Sequence, residues 1–250
     1  MRPLVLLSND DGHASAGIRS VRNDLSEASD VVLVAPENEQ SASSHSLSLH
    51  RPLRLRTVDP DAFALDGTPA DCVYVALYAG TRILPRRPDL IVSGINHGMN
   101  LGQDAFYSGT IAAAREGALR GIPAVASSAH PSVDLRAAAK LTTRIAMELL
   151  DVAPARAILL NVNIPPGWTG AVRATRLGAR IYEECVQFRL DPRGREYLWV
   201  GGPGVRHERN EGTDTDAYDD GIASITPLLL DLTSGTQRAL AESIAAAAVR

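Results

Sequence analysis

The sequence predicts an α/β protein, a three-layer sandwich around a mostly parallel sheet with a β-rich extension and a C-terminal helix. Apolar strand-like runs alternate with helical stretches as far as Pro166, the pattern of a parallel sheet covered on both faces. Beyond Pro166 the texture turns charged, alternating and glycine-punctuated to about Asn210, which suits short strands. The final part holds one more strand-like run and an Ala-rich amphipathic stretch.

Taken in order, residues 4–7 (LVLL) form a short apolar run that leads into Ser8-Asn9-Asp10-Asp11-Gly12. A helical pattern covers 16–28, and residues 31–35 (VVLVA) before Pro36 are a second buried strand. The polar stretch 37–46 (ENEQSASSHS) has only Ala42 as an apolar residue, cannot bury itself and reads as a loop on the rim of the sheet. Residues 50–58 (HRPLRLRTV) alternate like an exposed strand or hairpin arm, and 66–69 (DGTP) is a turn ahead of a helix from Ala70. A third buried strand, 89–93 (DLIVS), runs into GINHGMNLGQD. Ser108-Gly109-Thr110 then opens an Ala-rich helix that stops at Gly121. Residues 122–128 are a fourth strand, 135–150 a long helix, 157–165 a fifth strand, 221–232 a strand-like run and 237–249 the terminal helix. One domain is expected over 1–250, with a Rossmann-like core at about 1–166, an extension at about 167–221 and a terminal strand and helix at about 222–250.

Composition narrows the classes of function. A net charge of -4, with Arg86-Arg87 as the longest basic cluster, argues against a polyanion track such as a duplex groove. Cys72 and Cys185 lie far apart and outside any paired metal-ligand spacing, which speaks against a disulfide framework or structural zinc. No apolar run approaches the roughly 18 residues of a membrane span, and the start lacks a signal-peptide pattern. A reduced, cytoplasmic protein with a small-molecule ligand is the expectation.

In open parallel sheets, ligands bind beyond the carboxyl ends of the strands, where loops converge. Three polar loops qualify: the one after the first strand carries Asp10 and Asp11, the second Ser41 and the third Asn96. Two carboxylates roughly 4 Å apart repel by about 1 kcal/mol in water and by several when partly buried. A divalent cation would remove that conflict, and all-oxygen donors suit Mg²⁺, Mn²⁺ or Ca²⁺ rather than zinc. The competing reading has Asp10 cap the next helix and Asp11 face solvent. Ser108-Gly109-Thr110 sits where backbone N–H groups and the positive helix end attract phosphate, although an ordinary N-cap gives the same pattern. Gly94, Gly98 and Gly102 allow close approach of backbone to a ligand, but their spacing is not that of a dinucleotide fingerprint. His13, His45 and His97 lie near these loops as candidate acids, bases or phosphate donors, or as solvated loop residues. His50, His130 and His207 have no comparable context.

Several stretches together carry a resemblance: LLSNDDGHASAGI, VVLVAPENEQSASSHSLSL, DGTPADCVYVAL, PDLIVSGINHGMNLGQDAFYSGTIAAAREGALRGIPAVASS, LLNVNIP and GTDTDAYDDGIASITPLLLDLT. In this order, over nearly the whole chain, they resemble the SurE survival proteins, metal-dependent 5'/3'-nucleotidases. The resemblance implies one divalent ion per subunit, Mg²⁺ or Mn²⁺ (or Ca²⁺ in a crystal), held by Asp10, Asp11, Ser41 and Asn96. It also implies a phosphate site lined by Ser108, Gly109 and Thr110 beside Asn96. Asp10 or Asp11 would orient the attacking water, and His45 is the first candidate for a donor to phosphate or leaving oxygen. Dimers or tetramers with exchanged C-terminal segments are implied as well. Departures from the family pattern are Ala42 in place of a glycine, His13, His97 and Ile222, while His45 stands where the family carries Asn or His. The expected activity is hydrolysis of nucleoside 5'- or 3'-monophosphates to nucleoside and phosphate. The alternatives are a phosphatase for another small phosphorylated metabolite and a nucleotide-binding homologue with little turnover.

Overall fold

The structure, a computed structural model, describes residues 2–152, 158–182, 186–201 and 204–249. Cys185, noted above, lies outside the described residues. Its centre is a nine-stranded sheet of order β3-β4-β2-β1-β5-β6-β7-β13-β8. The strands are β1 (Leu4–Ser8), β2 (Asp30–Pro36), β3 (Leu55–Asp59), β4 (Ala62–Leu65), β5 (Leu90–His97), β6 (Ala124–Ala129), β7 (Leu159–Ile164), β8 (Val172–Ala174) and β13 (Ala223–Leu228). Strands β4, β2, β1, β5, β6 and β7 run parallel. At one edge β3 pairs antiparallel with β4, and at the other β13 enters antiparallel beside β7.

Helices cover both faces because successive side chains along each strand alternate sides. Val5 and Leu7 of β1 belong to a core shared with α1 (Ala16–Ala28) and α4 (Leu135–Val152). Leu4 and Leu6 belong to the opposite core, shared with α2 (Pro69–Tyr78) and α3 (Gly109–Leu119). The local signals explain where these helices begin. Ser15 caps α1 through the Ile18 N–H, and Ile18, Val21 and Leu25 bury one stripe of it. Thr68 and Asp71 form a reciprocal capping box at the start of α2, with Pro69 in the first turn. The DGTP turn is therefore a helix start, one residue earlier than the sequence suggested.

The extension contains β9 (Ala179–Tyr182), β10 (Val186–Leu190), β11 (Glu196–Val200) and β12 (Val205–Glu208), as expected of a β-rich segment. Strands β10 and β11 form a hairpin, and β9 pairs with β12. It also holds a short helix, α5 (Asp214–Asp219), which the sequence reading did not foresee. The terminal helix α6 (Arg238–Ala248) buries none of its residues.

The chain runs from β1 outward to β2 and β4, then returns to place β5 on the other side of β1. Loops after β1 and β5 therefore leave their neighbouring strand ends in different directions and open a crevice between them. Strand β5 ends irregularly: between Ser93 and Asn96 it carries one more residue than the facing Ala126–Ser128 of β6. Such a bulge re-aims the side chains that follow, and the first of these is Asn96.

Candidate active site

A cavity of about 770 Å³ occupies this crevice and is lined by Asp10, Ser41, Asn96 and Ser108, among others. Each of these four comes from a different loop or helix start, so the fold assembles them from positions nearly 100 residues apart in sequence. Asp10 is 5% exposed. Its Oδ1 accepts from the Thr110 hydroxyl at 2.6 Å. Burial pushes its pKa up to about 6, the Thr110 hydrogen bond opposes that, and the Asp11 charge raises it further. Among the described residues Asp10 and Asp11 have no Lys or Arg partner in a salt bridge, and the His97 imidazole beside Asp11 offsets only part of the charge. Asp11 is half-buried and also raised, chiefly by desolvation, while its Oδ2 accepts from the His97 backbone N–H at 3.1 Å.

These contacts leave one carboxylate oxygen of each aspartate without a hydrogen-bond donor among the described residues. Asn96 donates its Nδ2 to the Gly98 carbonyl at 3.1 Å, which fixes the amide orientation and turns Oδ1 the other way. The Ser41 hydroxyl donates to Glu39 at 2.7 Å, so its lone pairs stay available. A hard divalent cation fits this set: four oxygen donors around a buried carboxylate that lacks a counter-charge. No group of three His, Cys, Asp or Glu residues suited to a metal occurs among the described residues.

The start of α3 lies directly against this acid pair. A Cβ on Gly109 would fall 2.8 Å from Asp10 Cβ and 2.9 Å from Ser43 Oγ, so only glycine lets the three segments meet. Ser108 caps the helix by accepting from the Ile111 N–H at 3.0 Å, and its own hydroxyl proton remains free to donate into the cavity. Thr110 is fully buried and its hydroxyl is committed to Asp10. The sequence grouped it with the phosphate donors; the structure gives its side chain the task of orienting a carboxylate.

The loop after β5 is held from below by a buried amide network. Asn100 accepts at its carbonyl from Asn161 (2.8 Å) and Asn163 (3.1 Å), and donates its side chain to Ser128 at 2.8 Å. Its backbone N–H donates to Asn163 at 2.8 Å.

The family model described as "Survival protein SurE" matches residues 5–184, more than half of the chain. The chain belongs to the SurE family. It is 60% identical over 250 residues to a protein from Sorangium cellulosum (strain So ce56) named 5'-nucleotidase SurE, covering 98% of this chain and 97% of that one. A protein of the same name from Vibrio vulnificus (strain CMCP6) is 43% identical over 237 residues, with 93% and 92% covered. The crystal structure of the SurE protein from Aquifex aeolicus superposes with a TM-score of 0.84 at 37% identity, covering 97% of this chain and 99% of that one.

Against this SurE background the three loop histidines separate. His97 lines the cavity and is exposed, whereas His13 and His45 are not among the lining residues. His45 instead meets Glu116 of α3, Nε2 to Oε2 at 2.9 Å. Ala42, at the family's glycine position, has φ 57°, and Ser44 has φ 52°. Left-handed backbone at non-glycine residues costs on the order of 1 kcal/mol or more each, so surrounding contacts must hold the loop in this shape.

The far wall of the cavity was not foreseen, because its parts are scattered through the chain. Asp104, in the 3₁₀ turn Gly102–Phe106, accepts from the Tyr182 hydroxyl at 2.6 Å and pairs with Arg180 of β9. Burial and that hydrogen bond push the Tyr182 phenol up to about 12, so it stays protonated. The Arg180 guanidinium lies 5.3 Å over the Tyr182 ring. Asp214 fastens this wall to the core: fully buried, it accepts from the Gly102 N–H at 2.9 Å and the Gly178 N–H at 2.7 Å.

Proposed function

We propose that this chain is a metal-dependent phosphomonoesterase that hydrolyses nucleoside 5'- or 3'-monophosphates to nucleoside and phosphate. The observation that carries the reading is the buried, uncompensated Asp10 packed through Gly109 against the start of α3. The positive end of α3 offsets only part of the carboxylate charge, and a cation that brings a phosphate with it would satisfy the carboxylates and the remaining donors at the helix start together. The names of the SurE relatives, 5'-nucleotidase, support the same reaction.

Asp10, Asp11, Ser41 and Asn96 would hold one divalent ion, Mg²⁺ or Mn²⁺. Bound there, such an ion supplies Lewis-acid polarisation of the phosphoryl group and a lowered pKa for water. The protein's own residues do the rest. Ser108 lines the cavity, and its hydroxyl, with the N-terminal end of α3 behind it, would take the equatorial phosphate oxygens, whose charge grows as the bond to the leaving oxygen stretches. Thr110 keeps Asp10 in one rotamer, and the His97 N–H does the same for Asp11. The cavity lies within the ~300–1,000 Å³ range of small-ligand sites, which leaves space beyond the phosphate for a nucleoside. Tyr107, Met99, Arg180 and Tyr182 line that remaining space.

The test is phosphate release from nucleoside monophosphates, sugar phosphates and p-nitrophenyl phosphate, each with Mg²⁺, Mn²⁺, Ca²⁺ or EDTA. Metal-dependent release that favours nucleotides is expected. A preference for sugar phosphates moves the substrate class, and tight nucleotide binding without release would make the chain a binder.

Self-association belongs to the same proposal. Strands β10 and β11 leave Phe188, Leu190, Leu198 and Trp199 exposed, and α6 leaves Leu240 and Ile244 exposed. A hairpin and a helix with no buried side of their own suit a second copy of the chain, as a homodimer or homotetramer with exchanged C-terminal segments. No described helix is long and apolar enough to cross a membrane. A cytoplasmic setting is proposed as well, supported by Cys72, which is buried as a free thiol.

A further inference from the structure

Glu116 is a carboxylate in the middle of α3, 2% exposed, with no part in the chemistry above. Its two oxygens are both engaged. Oε2 accepts from His45 Nε2 at 2.9 Å, and Oε1 accepts from Arg120 at 2.9 and 3.2 Å, one turn further along the helix. Arg120 in turn lies 5.8 Å over the rings of Tyr74 and Tyr78 in α2. A buried carboxylate whose two oxygens are both engaged is a fixed post, because losing either partner leaves a buried acceptor unsatisfied.

His45 stands four residues after Ser41, on the far side of the left-handed Ala42 and Ser44. The near side of this loop is tied down by Gln40 N–H to the Asp10 carbonyl at 2.8 Å. Its middle is tied by Ser44, whose N–H donates to the Tyr107 carbonyl at 3.0 Å and whose hydroxyl donates to Phe106 at 2.7 Å. The His45–Glu116 bond closes the far end. We propose that Glu116 and His45 form a latch that positions the Ser41 loop on α3, so that His45 acts as a positioning residue and not as the proton donor to the leaving group. Since α3 also presents Ser108 and orients Asp10 through Thr110, the latch sets the Ser41 hydroxyl against the other three oxygen donors.

This inference rests on the phosphomonoesterase reading for its kinetic arm, and two further readouts test it without turnover. The proteins are the full chain, H45A, H45Q, E116A and the double variant H45A/E116A. Glutamine is chosen because its terminal amide reaches about as far as Nε2 and donates the same hydrogen bond. In metal-stripped protein without substrate, Mn²⁺ binding followed by electron paramagnetic resonance should weaken about tenfold in H45A and in E116A. The double variant should be no weaker than either single, since both remove one interaction. H45Q should stay within about threefold of the parent. Amide hydrogen exchange over residues 41–46 should accelerate in H45A and E116A and return toward the parent in H45Q. With saturating metal, the loss in H45A should be equal for an alkyl ester, a nucleoside monophosphate, and for p-nitrophenyl phosphate, whose leaving group needs no proton.

Unchanged Mn²⁺ binding and exchange in H45A would overturn the latch. So would a loss confined to the alkyl ester, which would make His45 the general acid, or losses in the double variant that simply add. If the parent releases no phosphate at all, the reaction assigned above fails, while the metal-binding and exchange readouts still decide the latch.

Discussion

Asp10 shows most directly how the site is set against the stability of the fold. Its folded pKa of about 6 lies above the ordinary carboxylate value of 3.8, so the folded chain holds this proton more tightly than the unfolded chain. The resulting stability is fully present below about pH 4 and is lost as pH rises to about 6, a cost of about 3 kcal/mol above that pH. In EDTA, D10N should therefore be more stable than the parent to urea at pH 7.5, by up to about 3 kcal/mol. The advantage should vanish near pH 4, while metal-dependent turnover is absent at either pH. Equal stability at both pH values would mean that Asp10 is not desolvated. Ala42 gives a second residue-scale expectation. Glycine at φ 57° loses the strain of the methyl group but gains unfolded-chain entropy, and the difference favours the variant modestly. A42G should melt about 1–3 °C higher, and a lower melting temperature would show that the backbone is not left-handed there. Asp10, Asp11, Ser41 and Asn96 were legible in the sequence as polar residues at strand ends. Ala42's strain was not, because a φ angle depends on the contacts that hold the loop.

Among the elements, α3 carries the largest share of the site. Its start receives phosphate in the proposed reaction, its second residue orients Asp10, and Glu116 two turns along anchors the rim loop. Gly109 makes the first two compatible. G109A should favour the helix itself by about 1 kcal/mol, since alanine is the better helix former. Yet its methyl group must push Asp10 or Ser43 aside. Displacements well below 1 Å to about 1 Å in a reacting array cost up to about a hundredfold. The expected result is a kcat/KM reduced by about that factor with an unchanged or lowered melting temperature, since forcing a methyl group into a packed site costs about 1–3 kcal/mol; full activity would show that the close packing at Gly109 is relaxed in solution. The sequence placed α1, α3 and α4 well because their signals are local: apolar stripes in α1 and α4, and the Ser108 start and Ala-rich run of α3. It passed over Glu116, which sits on a mostly apolar Ala-rich helix and identifies itself only through a partner 71 residues away. The four-residue β4 was also missed as a separate strand, being too short for its alternation to stand out beside β3.

For the whole molecule, the parts least legible in the sequence are those made by distant segments. The edge of the sheet interleaves β13 between β7 and β8, so the last strand enters the core only after the extension has been built. Asp104, Arg180 and Tyr182 are separated by 76 and 78 residues, and no local pattern announces their contact. The exposed faces of β10, β11 and α6 likewise gain a rationale from the proposed assembly. Multi-angle light scattering is expected to give a dimer or tetramer mass, and truncation before residue 234 should shift it downward; a monomer mass for the full chain would remove the assembly from the proposal. The Asp214 tether carries one more consequence. It joins the proposed chemical centre, built from core loops, to a wall contributed by the extension. If the proposed roles hold, bond breaking and substrate choice lie on separate stretches of one chain, so that substitutions around β9 would change which alcohol is released without touching the residues assigned to the ester.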